Sequence, residues 1–455
     1  MKRIIFENAL LPSGWAKNVC LELDDAGEIL KVTPDYDGAK VDDSEKMSGY
    51  ALPAMNNVHS HAFQRAMAGL AEYSTSASDS FWTWRDIMYR FAGKISAVDL
   101  EAIASQLYLE MLKAGYASVA EFHYLHHDQG RNDTMSHSIM AAADKTRIGL
   151  CHLPVLYMAS GFGGAPLNAR QQRFGHSLDD YQALLEKLSS SISHNSNQHL
   201  GMAFHSLRAV PEYALKECLN NNPVSGPVHI HISEQIQEVN DCVSWSGKRP
   251  VEWLYDRADV NERWCLIHAT HLNDDEINMI ARSGAVAGLC PTTEANLGDG
   301  LFPLKNYLDQ GGDIAIGSDS HISVSVIEEL RLLEYGQRLE SRQRNIAVSD
   351  DEIHTGSNLY NLTLRGGAKA SGFNNGMIDV GKRADIIVLD ERSPLLVGTP
   401  DNSIIDRFIF SGNQNPIKHV MVAGDWLIRD YKHADEQQIL ADFSGVMMAL
   451  KKLLD

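Results

Sequence analysis

The sequence lacks long apolar runs and paired cysteines. No uninterrupted apolar run approaches the roughly 20 residues that a helix needs to cross a bilayer, so we expect no membrane association. The 6 cysteines form no CxxC pair, and several lie in apolar runs where a free thiol behaves as a small hydrophobic group. This distribution favours a reducing compartment.

A basic excess is also missing. The formal net charge is -19 and the pI is about 5.4, whereas binding to nucleic-acid phosphates requires a basic face. We therefore expect no nucleic-acid partner, and we interpret the charge as that of a soluble cytosolic protein. The first residues lose their apolar character at Glu7, too early for the core of a signal peptide. A cytoplasmic location is the expectation.

The middle of the chain alternates apolar strand-like runs with amphipathic helical stretches. Its 455 residues, 44% of them hydrophobic, suffice for one large domain with an appendage or for two to three ordinary domains. The strand-like runs lie at residues 50–55, 116–122, 148–155, 200–205, 227–232, 265–268, 285–290 and 314–317. Helical periods occur at residues 101–115, 140–145, 179–188 and 326–339. Eight such runs predict an α/β fold, a (β/α)8 TIM-like barrel.

Both ends of the chain differ from the middle because they contain short alternating strands separated by turn residues. Examples are residues 18–23, 384–389 and 417–422. We predict that residues 1–50 and 375–435 pair into one small β-sandwich domain, that residues 51–374 form the metal-dependent barrel, and that residues 436–455 form a C-terminal helix.

The His59-Ser60-His61 motif predicts a metal site. Side chains two residues apart in an extended segment project to the same side, so both imidazoles can bind one ion. The motif alone is weak in a chain with 19 histidines. Further polar residues, however, end strand-like runs elsewhere in the chain: His123, His205, His231, His268 and Asp319. Catalytic groups of a barrel lie at the carboxyl ends of its strands, so we expect this set to converge.

The chain resembles the amidohydrolase superfamily and, within it, the formimidoylglutamate deiminases. The resemblance rests on His59-x-His61, His231 three residues before Glu234, His268, and Asp319. It also covers longer stretches, namely residues 59–70, 81–85, 121–124, 292–300 and 381–389. It implies hydrolytic deimination of N-formimino-L-glutamate to N-formyl-L-glutamate and ammonia in histidine degradation, and it suggests a homodimer.

The resemblance implies that His59, His61, His231 and Asp319 hold the metal. Three imidazoles and one carboxylate suit zinc, although imidazole also suits iron or nickel. Related enzymes with two metals carry a bridging lysine on the fourth strand. The corresponding run here ends in Phe204-His205-Ser206 and contains no lysine, so we predict one ion. His229 is the rival ligand in the run that contains His231, and we expect it to face the barrel wall.

The resemblance also implies roles in catalysis. His268 and Asp319 are expected to help deprotonate the attacking water, and Glu234 to move protons at the nitrogen that leaves as ammonia. How the proton steps divide among these three residues is not encoded in the sequence. A purely structural role for Glu234, as a carboxylate at the start of a helix, is the alternative.

The predicted substrate carries two carboxylates, so the site of an acidic protein needs local arginines to bind it. Arg208, after the fourth strand, and Arg85, in a tryptophan-rich loop, are the candidates. The resemblance adds Gln64, Tyr124 and His205 as substrate contacts. For Arg85 the alternative is a surface arginine that stacks on Trp82 or Trp84.

The sequence is also compatible with two other functions. One is a different amidohydrolase-type deaminase, such as guanine deaminase, which predicts a flat, aromatic pocket with fewer arginines. The other is a non-catalytic scaffold that kept the barrel, although such a chain would be expected to have lost some of the ligands.

Overall fold

The computed structural model describes residues 1–37, 44–73, 81–128, 130, 133–192, 195–221 and 224–454. The strands are β1 (Lys2–Leu11), β2 (Gly14–Leu23), β3 (Ile29–Thr33), β4 (Glu45–Pro53), β5 (Met55–Ser60), β6 (Tyr116–His123), β7 (Gly149–Leu156), β8 (Gln198–Leu200), β9 (Met202–Ser206), β10 (Val228–Ile232), β11 (Trp264–His268), β12 (Val286–Leu289), β13 (Asp313–Ile316), β14 (Ile386–Leu389), β15 (Ile417–Val422), β16 (Asp425–Arg429) and β17 (Lys432–His433).

The helices are α1 (Phe81–Ala92), α2 (Ala97–Lys113), α3 (Thr134–Thr146), α4 (Leu178–Ile192), α5 (Glu212–Asn220), α6 (Ile236–Ser246), α7 (Pro250–Tyr255), α8 (Asp274–Ser283), α9 (Pro291–Leu297), α10 (Leu304–Asp309), α11 (Val326–Ser341), α12 (Thr355–Ser371), α13 (Ile404–Phe410) and α14 (Glu436–Leu454). Across the described parts of the chain, no helix combines the length and the apolar character that a membrane crossing requires.

A parallel barrel forms the larger part of the molecule. Its strands run in the order β5, β6, β7, β9, β10, β11, β12 and β13, and the short β8 also pairs with β7. A bridge between Ser60 and Asp319 brings the first and last strands together. Buried apolar side chains from the strands and the surrounding helices form the main core, and a smaller separate cluster includes Val58, Cys265 and Ile267. The predicted (β/α)8 class is confirmed.

The apolar run at residues 50–55 is divided between two sheets, which the sequence pattern did not reveal. Residues up to Pro53 belong to β4 and pair with β14, and the barrel strand β5 begins only at Met55. Pro53 still pairs with Ile386, and Ala54 N–H donates to the carbonyl of Asp385 over 2.9 Å. The chain then changes sheets, because Met55 N–H donates to the carbonyl of Gly115 beside β6. His59 consequently lies inside β5 and not beyond its end.

Both chain ends build a second, mostly antiparallel sheet in the order β17, β16, β15, β14, β4, β1, β2 and β3. Phe6 on β1 and Trp426 on β16 lie four strands apart in that order, a distance of about 19 Å in a flat sheet. Their ring centroids are 6.3 Å apart. The sheet therefore curls so that its halves enclose a separate apolar core, as expected for the predicted β domain.

The C-terminal helix α14 packs on the barrel helices. Lys113 of α2 donates to Glu436, and Lys145 of α3 donates to Asp442, each over 2.6 Å. The division of the chain into domains at residues 50, 375 and 435 stays a prediction.

Candidate metal centre and active site

Three imidazoles and one carboxylate meet at the carboxyl-end mouth of the barrel. His59 and His61 come from β5, His231 from β10, and Asp319 follows β13. The Nε2 atoms of His59 and His231 are 2.9 Å apart, and Asp319 Oδ1 lies 3.5 Å from His59 Nε2 and 3.3 Å from His61 Nε2. All four predicted ligands are therefore gathered around one point.

Backbone carbonyls orient two of these rings. His61 Nδ1 donates to the carbonyl of Phe122, and His231 Nδ1 donates to the carbonyl of His205, each over 2.9 Å. With the hydrogen on Nδ1, each ring directs the lone pair of Nε2 into the centre. Burial, with neighbouring imidazoles, lowers the pKa of His59 and His231 well below 6.5, and burial also lowers that of His61. Neutral imidazoles are the form that binds metals, so this donor set fits a zinc ion.

The backbone around the centre is strained and closely packed. His268 and Asp319 adopt φ angles of 67° and 46°, in the left-handed region that residues other than glycine seldom occupy. A Cβ on Gly317 would lie 2.7 Å from His59 Cβ, so only glycine lets β13 approach β5 this closely. Asp319 N–H donates to the carbonyl of His59 over 2.9 Å and completes the contact.

A buried carboxylate supports the His59-Ser60-His61 segment from the outer side of the sheet. Glu121 on β6 accepts hydrogen bonds from Ser60 Oγ at 2.5 Å, Ala62 N at 2.7 Å and Tyr108 Oη at 3.2 Å. Burial raises the pKa of Glu121 to about 7, although these donors lower it. Glu121 thus fixes the chain on both sides of His61.

His268 and Glu234 face the centre from neighbouring strands. His268 Nε2 lies 3.7 Å from Asp319 Oδ2 and 3.8 Å from Glu234 Oε1. Burial lowers the pKa of His268, but Glu234 and two further carboxylates outweigh it and raise the value to about 10. Burial raises the pKa of Glu234, against the effect of His268. The site therefore holds an imidazole between two carboxylates.

A pocket lies above this centre. It is lined by the predicted substrate residues Gln64, Arg85, Tyr124, His205 and Arg208, and by His61, His231, Glu234, His268 and Asp319. Gln64 Nε2 donates to Tyr124 Oη over 2.7 Å. Arg208 is half-buried, and its charge lowers the pKa of Glu234 against the larger effect of burial. The pocket therefore combines cationic groups with acidic ones.

Arg85 differs from its predicted setting. It lies on helix α1 and not on a loop, and its guanidinium sits 5.2 Å over the ring of Tyr89, whose hydroxyl accepts hydrogen bonds from Nε and Nη2. The helix forms because it buries Met88 and Phe91 on one face while Arg85 and Tyr89 pair one turn apart. The side chain of Trp82 lies outside the described residues.

Two histidines from the sequence analysis face away from the centre. His229 Nε2 donates to the carbonyl of Ala370 on α12 over 2.8 Å, as its expected place at the barrel wall requires. Phe122 packs on the rings of the centre, so the next residue of β6, His123, points to the other side of the sheet. There its ring lies 5.3 Å from that of His152. A position at a strand end therefore does not place a side chain in the site, because side chains alternate along a strand and only every second one faces the centre.

Several residues of the site were not predicted. Tyr157 and Phe174 line the pocket, and Glu238 accepts from the backbone N–H of Glu234 over 3.1 Å. Glu294 lies beside His268, and Asp299 beside Glu234. Only the last two fall in a stretch that carried the resemblance, residues 292–300. Their position just after the seventh barrel strand is the pattern that could have identified them.

A parallel barrel with three imidazoles and a carboxylate at its mouth is typical of metal-dependent hydrolases. The sequence model of the amidohydrolase family matches residues 50–427. The model described as formimidoylglutamate deiminase HutF, N-terminal domain, matches residues 1–46. The chain belongs to the amidohydrolase family, and the resemblance stated from its sequence is confirmed.

Individual relatives agree with this membership. The formimidoylglutamate deiminase of Pseudomonas aeruginosa is 49% identical over 460 residues, which cover 100% of both chains. The crystal structure of an amidohydrolase from Brucella melitensis is 41% identical and has a TM-score of 0.93, covering 99% of this chain and 100% of that one. The structure of an adenosine deaminase from Xanthomonas campestris with bound zinc is 19% identical, with a TM-score of 0.83 over 99% and 98% of the two chains. It shares the fold.

Proposed function

We propose that this protein hydrolyses N-formimino-L-glutamate to N-formyl-L-glutamate and ammonia, a step of histidine degradation, and that it uses one zinc ion. The full-length similarity to a formimidoylglutamate deiminase supports the proposal. The observation that carries it is the pocket, in which Arg85 and Arg208 lie with the cluster of imidazoles and carboxylates. A substrate with two carboxylates on its glutamate part and an amidine at its nitrogen matches that combination of charged groups.

In this proposal His59, His61, His231 and Asp319 hold the zinc. When bound, the ion lowers the pKa of water to about 7 and so supplies a hydroxide nucleophile at neutral pH. One ion is proposed because the fourth barrel strand, β8 with β9, contains no lysine that could bridge a pair. The donor set itself admits iron or nickel as well.

The chain's own residues then bind the substrate and move protons. Arg85 and Arg208 hold the two carboxylates, with Gln64, Tyr124 and His205 as further contacts, so that the formimino carbon faces the centre. Asp319 Oδ2 takes up the proton that the attacking water loses, and the protonated His268, whose Nε2 lies 3.7 Å from Asp319 Oδ2, helps by stabilising the negative charge on the attacking oxygen. Glu234 Oε1, 3.8 Å from His268 Nε2, passes two protons to the formimino nitrogen, first the one that Asp319 has taken up from the water and then the one from the hydroxyl that the water becomes. The C–N bond then breaks, ammonia leaves, and the formyl carbonyl forms.

Ammonia release tests the proposal directly. Zinc-loaded protein is assayed with N-formimino-L-glutamate, guanine and S-adenosylhomocysteine under the same conditions, with metal content measured on the same sample. We expect ammonia and N-formyl-L-glutamate from the first compound only. Release from a heterocycle alone would favour another deaminase of the family, and no release from any compound at full metal content would favour a non-catalytic scaffold.

We further propose that the protein acts as a homodimer in the cytoplasm. All 6 cysteines are free thiols in the structure, which supports a reducing compartment. The dimer is suggested by the resemblance to the formimidoylglutamate deiminases. Light scattering on purified protein tests it, and a mass near 50.4 kDa would mean a monomer.

A further inference from the structure

Glu294 is a buried carboxylate that contacts His268 on the side away from the metal ligands. Its Oε1 lies 3.2 Å from His268 Nδ1 and accepts the backbone N–H of Cys290 over 2.9 Å. The side chain of Glu294 is 5% exposed. Because Cys290 directly precedes helix α9, which carries Glu294, the helix's own backbone fixes the carboxylate.

This contact fixes the direction in which each nitrogen of the His268 ring points. An ionised carboxylate only accepts hydrogen bonds, so Nδ1 must be the donor toward Glu294. The other nitrogen, Nε2, then faces the reacting groups, 3.8 Å from Glu234 and 3.7 Å from Asp319. Both distances are too long for direct hydrogen bonds, so Nε2 stays available to a water or substrate atom.

We propose that Glu294 is a positioning residue, which holds the His268 ring with Nδ1–H toward the protein and Nε2 toward the reaction. The proposal rests on the deiminase function given above for its kinetic consequences. The backbone of His268, at a φ of 67°, already departs from regular strand geometry, so the β11 ladder does not by itself fix the ring. A buried carboxylate has the same relation to a catalytic imidazole in the serine-protease triad.

Two substitutions separate the charge of Glu294 from its hydrogen-bond acceptor. Glu294→Ala removes both, and we expect kcat to fall about 100-fold with KM and zinc content little changed. Glu294→Gln keeps an oxygen that the Cys290 N–H holds in place, so we expect a loss of only about 10-fold. Equal losses in the two variants, or loss of zinc from either, would contradict a positioning role.

Glu329 provides the matched control. It is a fully buried carboxylate that accepts from Thr292 N at 2.9 Å and Thr292 Oγ1 at 2.6 Å, so it supports the same helix α9 without contacting His268. We expect Glu329→Gln to leave kcat within about threefold of wild type. If Glu329→Gln loses as much kcat as Glu294→Ala, the loss arises from a disturbed helix α9 and not from the contact with His268, and the proposal is wrong.

A double-mutant cycle asks whether Glu294 acts through His268. In a His268→Asn background, Glu294→Ala should change the residual kcat by less than about threefold, because the ring that it positions is gone. A further fall of about 100-fold would show that Glu294 acts elsewhere and would overturn the proposal.

One readout does not depend on turnover. In zinc-loaded protein the His268 Nδ1–H should give a low-field, slowly exchanging proton resonance, assigned by its absence in His268→Asn. We expect it to persist in Glu294→Gln and to disappear in Glu294→Ala. Persistence in Glu294→Ala would refute the positioning role even if the enzyme is active. Failure of wild type to release ammonia would instead refute the proposed function, and the resonance would still decide the role of Glu294.

Discussion

The Nε2 atoms of His59 and His231 lie 2.9 Å apart on strands from opposite sides of the barrel mouth. Because the hydrogen of His231 is committed to the carbonyl of His205, its Nε2 presents a lone pair to His59. Such an approach requires a proton or a cation between the rings, and Asp319, 3.5 Å from His59, favours a cation. The geometry of these three side chains thus fits a cation held among them.

The first prediction concerns this pair. His231→Gln should lose most of the bound zinc, since the site would keep only two imidazoles, as measured by elemental analysis after dialysis. His229→Gln is the matched control, two residues earlier on the same strand, and it should keep about one ion per chain. Equal zinc in both variants would mean that His231 is not a ligand.

The second prediction concerns substrate binding. Arg208→Met removes a guanidinium from the pocket but none of the metal ligands, so we expect KM to rise about 10- to 100-fold at unchanged zinc content. Arg170→Met serves as a control, because Arg170 pairs with Asp86 at the exposed surface. Loss of zinc in Arg208→Met, or an unchanged KM, would show that this residue has another role.

The barrel could be predicted because it depends on local pattern, whereas the metal ligands followed from the family resemblance and stay a prediction. Strand runs ended by polar residues gave the eight barrel strands, and in a barrel such ends necessarily meet. The direction of a side chain depends on register. His123 and His231 both lie at strand ends, but only His231 faces the centre, as neighbouring Phe122 occupies the inward position on β6.

Other parts of the site could not be predicted because they depend on contacts between distant segments. Glu121 is 59 residues from Ala62, whose N–H it accepts, and its role is visible only once β5 and β6 are paired. The division of residues 50–55 between two sheets likewise becomes visible only once β4 is paired with β14. The helix that carries Arg85 is stabilised by packing against the rest of the protein, so the short tryptophan-rich sequence alone does not predict it.

The third prediction tests the support from Glu121. In Glu121→Gln one of the two side-chain positions becomes an N–H donor that faces either Ala62 N–H or the hydroxyls of Ser60 and Tyr108. The segment between His59 and His61 should then lose its fixed geometry, and zinc affinity should fall about 10- to 100-fold in competition with a chelator. Tyr108→Phe removes only the longest of the three hydrogen bonds and should lower the zinc affinity far less. Similar affinities in both variants would contradict this role.

The fourth prediction concerns barrel closure. Gly317→Ala would place a methyl group 2.7 Å from His59 Cβ and 2.8 Å from its backbone nitrogen, neither of which can move without disturbing the seam between β13 and β5. We expect a loss of about 1–3 kcal/mol in the free energy of unfolding, with weaker zinc binding. Gly445→Ala in helix α14, where an added Cβ would meet no atom within 4 Å beyond the adjacent residues and the helix's own backbone, should instead stabilise the protein by about 0.5–1 kcal/mol. An unchanged urea midpoint in Gly317→Ala would disprove the steric argument.

The fifth prediction concerns acid stability. His176 is buried, and neither ring nitrogen has a partner among the described residues. Burial, together with His127, lowers its pKa from 6.5 to about 4, although Asp180 raises it. Between pH 6.5 and 4 the unfolded chain therefore binds a proton at His176 that the folded chain does not bind. The contribution of His176 to the free energy of unfolding is fully present above pH 6.5 and is lost as the pH falls through this window.

At pH 5 the titration of His176 should lower the free energy of unfolding by about 2 kcal/mol relative to pH 8. His176→Gln removes the titration, so the difference in unfolding free energy between pH 8 and pH 5 should shrink by about that amount. Urea denaturation of metal-free protein measures it, because loss of zinc in acid then does not contribute. If wild type and variant lose the same stability between the two pH values, His176 is not the group that the folded state keeps neutral.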